Sequence, residues 1–382
     1  MIYLDYAAAT PVDKSVVNAM LPYWTDNFYN PSATYLAGRK VRADLESARA
    51  KVAEIIGAKP REIVFTAGGT EANNLAVQGV LNHPALDKTN CLVAVSGVEH
   101  DSVLRTAQNF NCFVALTDKE GRVDLADLRS KITDQTVLVS VMYANNEVGT
   151  IQPIRQISTI IADIKAQRSK RGLKIPLYFH TDACQAANYL DLHISRLGVD
   201  MMTLNGGKIY GPKQSGVLFV ASHVQLEPII YGGGQERSLR SGTENVAQAV
   251  GFAKALEKSQ MLRLDEAKRL ELLQRESMKF IQVNMPTVVI NGSLRHRLPN
   301  NLHLSFPGQD NETLMMQLEN AGFEVAVGSA CSASKEEPSH VLTAMGISED
   351  YAQSSLRITF GRQTTEKEVA DLMEMLKKIT TL

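Results

Sequence analysis

Two segments of the sequence place a charged side chain directly after a predicted strand. Residues 180–185 end an apolar run and contain Asp182. A carboxylate there can pair with a cationic ring nitrogen, because open α/β sheets bind ligands at strand ends, or it can cap the next helix. Residues 205–213 follow another strand and place Lys208 between glycine turns. Most loop lysines are solvated, but a lysine that is held and desolvated has a lowered pKa and suits Schiff-base chemistry.

A third segment, residues 65–71, has the composition of an anion cradle. It follows a predicted strand and opens a helix predicted over residues 71–81. Gly68 and Gly69 allow close backbone approach, Thr70 offers a hydroxyl, and a helix start presents unpaired N–H groups. A glycine turn with a threonine cap is, however, more often structural. The segment lacks the lysine of a P-loop and the spacing of a dinucleotide fingerprint, so ATP and NAD are disfavoured.

The three segments together match the requirements of one cofactor. Pyridoxal phosphate (PLP) needs a carboxylate for its pyridinium nitrogen, a grip on its phosphate and a lysine for its aldehyde. Asp182, the cradle and Lys208 supply these groups. A metal site built from His180, Asp182 and Cys184 is disfavoured, because these alternate residues lie on one strand face with no further ligand cluster nearby. The combination is therefore more specific than its parts.

The elements that position these residues alternate between strands and helices. Several strands are continuously apolar, which is typical of strands covered on both faces of a sheet. The predicted strands cover residues 62–66, 91–96, 112–117, 136–142, 176–182, 199–204 and 216–221. This pattern predicts an α/β fold with a mainly parallel, seven-stranded sheet.

The character of the chain changes after Gly242. Residues 245–282 have a helical period and predict one long helix or two. The remaining chain predicts short strands at 287–291, 301–306, 324–327 and 355–360, with helices near 311–321 and 365–379. We expect a large cofactor-binding domain over residues 15–255. Residues 1–14 and 256–382 are expected to form a smaller α+β domain that carries a cysteine loop at about 328–340.

Composition restricts the class of protein. The chain has 382 residues, with 40 Lys and Arg against 41 Asp and Glu, so its net charge of −1 gives no field that would hold nucleic acid. Its four cysteines show neither a disulfide framework nor a zinc cluster, which favours a reducing compartment. No signal peptide or membrane-spanning run is visible. We expect a cytoplasmic protein that uses no metal and binds no membrane.

Ordered motifs along nearly the whole chain resemble one family, the cysteine desulfurases, which are class V, fold-type I PLP enzymes. The motifs lie at residues 3–11, 30–32, 98–100, 145–149, 232–237, 240–245, 328–331 and 355–362. Chance agreement across so many motifs in the same order is negligible. The resemblance implies a fold-type I PLP transferase that forms a homodimer.

The resemblance also implies a role for individual residues of the cofactor site. Lys208 would carry the cofactor, Asp182 would pair with the pyridinium nitrogen, and Gln185 would touch the ring hydroxyl. His100 would stack on the ring and help to move protons. The phosphate would be held by Gly69, Thr70 and Asn205, with Thr243 from the other subunit.

The resemblance implies two substrate-binding residues and one sulfur acceptor. Asn146 and Arg357 would meet L-cysteine, with Arg357 gripping its α-carboxylate in a bidentate pair. Cys331 lies among small and polar residues, which predicts an exposed, mobile loop rather than a core position. Its thiolate would attack the substrate sulfur, leaving L-alanine and a persulfide.

The long loop resembles the first of the two desulfurase groups. In that group the persulfide feeds a sulfur-acceptor protein, in iron–sulfur cluster assembly or in thio-cofactor and tRNA thiolation pathways. Cys331 could also transiently share an iron–sulfur cluster with a scaffold protein.

One motif departs from the family and several activities stay open. The family usually has Ser-x-His before the lysine, whereas this chain has Asn205, Gly206 and Gly207, which predicts weaker cofactor retention. A selenocysteine lyase or a cysteine sulfinate desulfinase would use the same site. A class V aminotransferase is disfavoured by the reactive cysteine. A non-catalytic interaction protein is disfavoured because Lys208 and Cys331 are both present.

Overall fold

The computed structural model describes residues 1–87, 89–328 and 338–380. Over these residues the strands are β1 (Ile2–Tyr3), β2 (Ile63–Thr66), β3 (Leu92–Ser96), β4 (Cys112–Ala115), β5 (Thr136–Ser140), β6 (Tyr178–Asp182), β7 (Met201–Asn205), β8 (Gly216–Val220), β9 (Val289–Ile290), β10 (Asn301–Ser305), β11 (Phe323–Glu324) and β12 (Ser355–Thr359).

The α-helices are α1 (Lys14–Met20), α2 (Pro22–Thr25), α3 (Leu36–Ile56), α4 (Gly69–Leu81), α5 (Asp101–Ala107), α6 (Leu125–Lys131), α7 (Ile154–Lys170), α8 (Ile194–Leu197), α9 (Val246–Asn284), α10 (Asn311–Asn320), α11 (His340–Ala344), α12 (Glu349–Ala352) and α13 (Glu366–Thr380). Short 3-10 helices occupy Pro60–Glu62, Gly206–Lys208 and Glu236–Ser238. Among the described residues, no helix is both long enough and apolar enough to cross a membrane.

The central sheet has the strand order β2-β8-β7-β6-β5-β3-β4. Strand β8 is antiparallel to both of its neighbours, and the other pairings in the sheet are parallel. Every residue of β5, β6 and β8 is buried, because helices cover both faces of the sheet. The predicted seven-stranded, mainly parallel α/β sheet is confirmed.

A second, three-stranded sheet has the strand order β12-β10-β9. Its core contains Leu302, Leu304, Leu356 and Ile358 together with residues of α13. Strand β1 pairs in parallel with β11, so the start of the chain joins elements more than 300 residues further on. The strands and helices predicted after Gly242 are present, with bounds that differ by a few residues.

Helix α9 connects the two sheets. Residues 245–282 were predicted as one helix or two, and they form a single helix of 39 residues. Phe252 and Leu256 in its first half belong to the core beneath the central sheet, whereas Leu270 and Ile281 belong to the core beside the smaller sheet. The domain boundary predicted at residue 255 falls inside this helix, and the division into two domains stays a prediction.

Candidate active site

The predicted site residues come together where parallel strands end. Strands β2, β3, β5, β6 and β7 run in one direction, so their carboxyl ends meet at the same edge of the sheet. A cavity of about 260 Å³ opens there. The predicted residues that line it are Gly69, Thr70, His100, Asn146, Asp182, Gln185, Asn205, Lys208 and Arg357.

The anion cradle at one end of this cavity is built from backbone. Helix α4 begins at Gly69, two residues earlier than predicted, with Gly68 as its N-cap at φ 123°. That positive φ favours glycine, and no side chain caps the helix, so a threonine cap is wrong for this turn. A Cβ on Gly69 would lie 2.9 Å from the Sγ of Cys184, which leaves room for glycine alone. The first backbone N–H groups of α4 are thus available to bind an anion.

Asp182 ends β6 in the middle of the cavity lining and is 5% exposed. Its Oδ1 accepts from the Cys184 backbone N–H at 2.9 Å, and its Oδ2 accepts from Asn73 Nδ2 at 2.7 Å. Residues 184–189 form turns instead of the helix that Asp182 could have capped. Each carboxylate oxygen therefore accepts from one of these two donors, which holds the side chain in place.

His180 lies two residues before Asp182 on the same strand. Its imidazole bonds to Ser140 and Thr203, and burial lowers its pKa to about 4, so the ring is neutral at pH 7. His180 thus supports the strand without adding charge. Among the described residues, no group of three or more His, Cys, Asp or Glu side chains could hold a metal ion.

Lys208 reaches the cavity from the 3-10 helix that follows β7. Its Nζ donates to the carbonyl oxygens of Ala7 at 2.8 Å and Ala8 at 2.5 Å. Gln185 Nε2 also donates to the Ala7 carbonyl, at 3.0 Å. The start of the chain therefore forms part of the cavity wall, a contribution that the sequence did not reveal because it is made by backbone atoms.

Arg357 reaches the same cavity from β12 of the smaller sheet. The residue is 1% exposed, its Nη2 pairs with Asp5 Oδ1 at 2.7 Å, and its Nη1 donates to the Asn146 carbonyl at 3.3 Å. Its Nε has no hydrogen-bond partner within the described ranges. A buried guanidinium with a donor left over can bind an anionic group such as a carboxylate.

The cavity lining also contains residues that sequence reasoning missed, among them Asn73, Ser102 and Met142. Asn73 lies on α4 between the buried residues Ala72 and Leu75. A polar residue on the apolar face of that helix was the available signal. Ser102 follows His100 by two positions and bonds to its ring.

Thr243 does not join the other predicted site residues. It lines a separate cavity of about 300 Å³ with Gln214, Arg240 and Glu244. Glu236, seven positions before Thr243, forms a buried bidentate ion pair with Arg49. Both terminal nitrogens of Arg49 lie 2.7 Å from the carboxylate oxygens of Glu236, and this pair fixes the segment.

Three of the four cysteines lie in the described ranges. Burial raises the pKa of Cys91, raises that of Cys112 to about 11, and raises that of Cys184 well above its usual value. These thiols stay protonated at neutral pH and are poor nucleophiles. Cys331 and the greater part of its predicted loop lie outside the described residues.

The chain is similar to one protein family, and to named relatives, over nearly its whole length. The sequence model of the Aminotransferase class-V family matches residues 2–372. "Cysteine desulfurase IscS" of Dictyoglomus turgidum is 39% identical over 384 residues, which cover 99% of this chain and 94% of that protein. "Cysteine desulfurase IscS 1" of Archaeoglobus fulgidus is 41% identical and covers 98% of this chain and 96% of its own length.

Solved structures agree with these relatives. A structure described as a NifS-like protein has a TM-score of 0.90 and 32% identity, and the match covers 100% of this chain and 99% of that one. A structure described as SspA in complex with cysteine has a TM-score of 0.81 and 33% identity, and the match covers 94% of this chain and 99% of that one. The resemblance identified from the motifs is confirmed. The chain belongs to the Aminotransferase class-V family.

Proposed function

We propose that this chain is a PLP-dependent cysteine desulfurase, which converts L-cysteine to L-alanine and takes up the sulfur as a persulfide. The observation that carries the proposal is the single cavity that contains the α4 cradle, Asp182, Lys208 and Arg357. Its groups match, in charge and in hydrogen-bonding type, a phosphorylated pyridine and an amino acid carboxylate.

The residues present fit PLP at each point where it needs a partner. The uncapped start of α4 suits the phosphate, and Gly69 at that start has no side chain to occupy the space beside it. Asp182, a buried carboxylate, suits the pyridinium nitrogen. Lys208 is the lysine among the described lining residues. When bound, the cofactor supplies an electron sink for the carbon atoms of the substrate.

The protein's own residues would then bind and orient the substrate. Arg357 would hold the α-carboxylate, with Asp5 fixing one side of its guanidinium. Asn146, whose carbonyl already accepts from Arg357, would contact the same end of the substrate. Lys208 would exchange its backbone carbonyl partners for the cofactor. Gln185 and His100 would contact the cofactor ring.

Cys331 is the proposed sulfur acceptor. Its thiolate would attack the substrate sulfur, so that a sulfur–sulfur bond forms as the carbon–sulfur bond breaks and the carbon, once protonated, leaves as alanine. The raised pKa values of Cys91, Cys112 and Cys184 support this choice, because the attack requires a thiolate.

A homodimer is proposed because Thr243 lies away from the cavity of its own chain. The buried Arg49–Glu236 pair holds its segment in place, as is needed if Thr243 contributes to the phosphate site of a second copy. The persulfide would be passed on to a sulfur-acceptor protein, and we propose a cytoplasmic location.

Gly207→His is expected to slow PLP release by roughly 10- to 150-fold, because it restores a donor to the phosphate and one charged hydrogen bond contributes about 1.5–3 kcal/mol. The position has space: a Cβ there would lie 3.5 Å from Asn205 Oδ1 and 3.7 Å from Lys213 Cγ. The release rate is measured by capturing free PLP after dilution. Gly207→Ala, which adds the Cβ without the donor, should release PLP at the wild-type rate. Unchanged or faster PLP release from Gly207→His would contradict this prediction.

The proposed activity is tested by incubating the PLP-loaded protein with L-cysteine and a reductant. We expect alanine and sulfide in equal amounts, without added keto acid. A stable pyridoxamine form and dependence on a keto acid would instead identify an aminotransferase. Protein that neither turns yellow with PLP nor forms alanine would support a non-catalytic role.

A further inference from the structure

A chain of side-chain hydrogen bonds links two residues proposed for the cofactor, Asp182 and His100. It passes through Asn73 on α4 and Ser102 on α5, neither of which the proposed function uses. Asn73 is 1% exposed and Ser102 is 8% exposed, so both side chains are buried. Both residues line the cavity.

The orientation of the Asn73 amide follows from its contact with Asp182. A carboxylate only accepts hydrogen bonds, and the atom 2.7 Å from Asp182 Oδ2 is the donor Nδ2. The second proton of Nδ2 is donated to Ser102 Oγ at 2.8 Å. A flipped amide would place an oxygen against the carboxylate, which is repulsive.

The direction of the Ser102 hydroxyl follows in turn. Because Ser102 Oγ accepts from Asn73, its own proton is available for a different partner, and His100 Nδ1 lies 2.7 Å away. The backbone N–H of Ser102 donates to the same nitrogen at 3.1 Å, since His100 is the N-cap of α5. Nδ1 thus receives two donors and carries no proton.

We propose that Asn73 and Ser102 are positioning residues that hold His100 as the neutral tautomer with its proton on Nε2. The ring then presents its Nε2–H to the cavity as a hydrogen-bond donor, and Nε2 has no lone pair with which to accept a proton. The use made of that donor rests on the proposed function. The tautomer itself depends only on the described contacts.

The test is nitrogen NMR of the cofactor-free full chain labelled with ¹⁵N-histidine, because the two ring nitrogens report directly which one carries the proton. The chain has eight histidines, and His100→Gln assigns the signal by its loss. In the wild type we expect His100 to be protonated at Nε2. Ser102→Ala removes one of the two donors to Nδ1 and should shift the tautomer ratio roughly three- to tenfold toward Nδ1–H, the scale of one hydrogen bond.

Three further variants separate positioning from a general loss of structure. Asn73→Ala should shift the ratio in the same direction, because the Ser102 hydroxyl then loses the Nδ2–H from which it accepts and can turn to accept a hydrogen bond from a ring Nδ1–H. Ser102→Thr keeps the hydroxyl and should retain the wild-type tautomer. The Thr106 hydroxyl on α5 bonds to Asn74 Oδ1 and to the backbone carbonyl of Ser102, but not to the Ser102 hydroxyl. Thr106→Val should therefore also leave the ratio unchanged.

A wild-type His100 protonated at Nδ1, or a Ser102→Ala protein with the wild-type ratio, would overturn the proposal. In the loaded enzyme, Ser102→Ala should lower kcat for L-cysteine roughly tenfold with little change in KM, the scale of one lost hydrogen bond in the transition state. A wild-type protein that shows the expected tautomer but forms no alanine would refute the proposed function and leave the tautomer assignment intact.

Discussion

Replacing Lys208 by alanine is expected to reduce alanine formation from L-cysteine by at least about 10³-fold, the scale on which loss of a covalent catalytic residue acts. Its Nζ is held inside the cavity by the Ala7 and Ala8 carbonyls, in the same lining as Asp182 and the α4 cradle. No other described residue of that lining is a lysine that could carry the cofactor. The measurement is alanine release by protein saturated with PLP.

The same variant has a readout besides activity. Reduction with borohydride should fix PLP permanently on Lys208 of the wild-type protein. The same treatment should fix no PLP in the cavity of Lys208→Ala. Lys254, which pairs with Glu257 on the surface of α9, provides the matched control: Lys254→Ala should keep both the labelling and the activity. If Lys208→Ala formed alanine at a rate within tenfold of the wild-type rate, Lys208 would not be the residue that carries the cofactor.

Cys331→Ser is expected to abolish turnover of L-cysteine, again by at least about 10³-fold, because a serine hydroxyl is not ionised at neutral pH and is a poor nucleophile toward sulfur. Turnover of cysteine sulfinate should survive, since sulfite can leave without a thiol. The pair of substrates therefore separates the acceptor thiol from the cofactor site. Both are measured as alanine formed by the same PLP-loaded preparation.

Cys112→Ser is the control for the second substitution. Cys112 lies on strand β4 with its pKa raised to about 11, so its loss should leave both substrates unaffected. If Cys331→Ser still turned over L-cysteine at the wild-type rate, sulfur would be leaving without an acceptor thiol. That outcome would favour a lyase or desulfinase activity over the persulfide route.

The side-chain part of the site could be predicted because its chemistry is visible in residue types. Asp182 ends one parallel strand and Lys208 follows another, and such strands end at one edge of the sheet, so their proximity follows from the fold class. Arg357 could be placed only by the family resemblance, since it lies on the other sheet, 149 positions after Lys208.

The backbone part of the site could not be predicted in this way. The Ala7 and Ala8 carbonyls approach Lys208 across about 200 positions of sequence, and a carbonyl oxygen is present in every residue. The start of α4 was predicted two residues late because its cap is a glycine, which has no side chain to mark the position. Asn73 stands out in the sequence as a polar residue on the apolar face of α4, but its role and that of Ser102 appear only from their distances.

The most direct test of the central claim is mass spectrometry of the Cys331 peptide after a single turnover of L-cysteine without reductant. We expect one added sulfur atom on Cys331, formed together with one alanine and released as sulfide when a reductant is added later. Alanine formed in the same amount with no sulfur on Cys331, or with the sulfur on Cys91, Cys112 or Cys184, would contradict it.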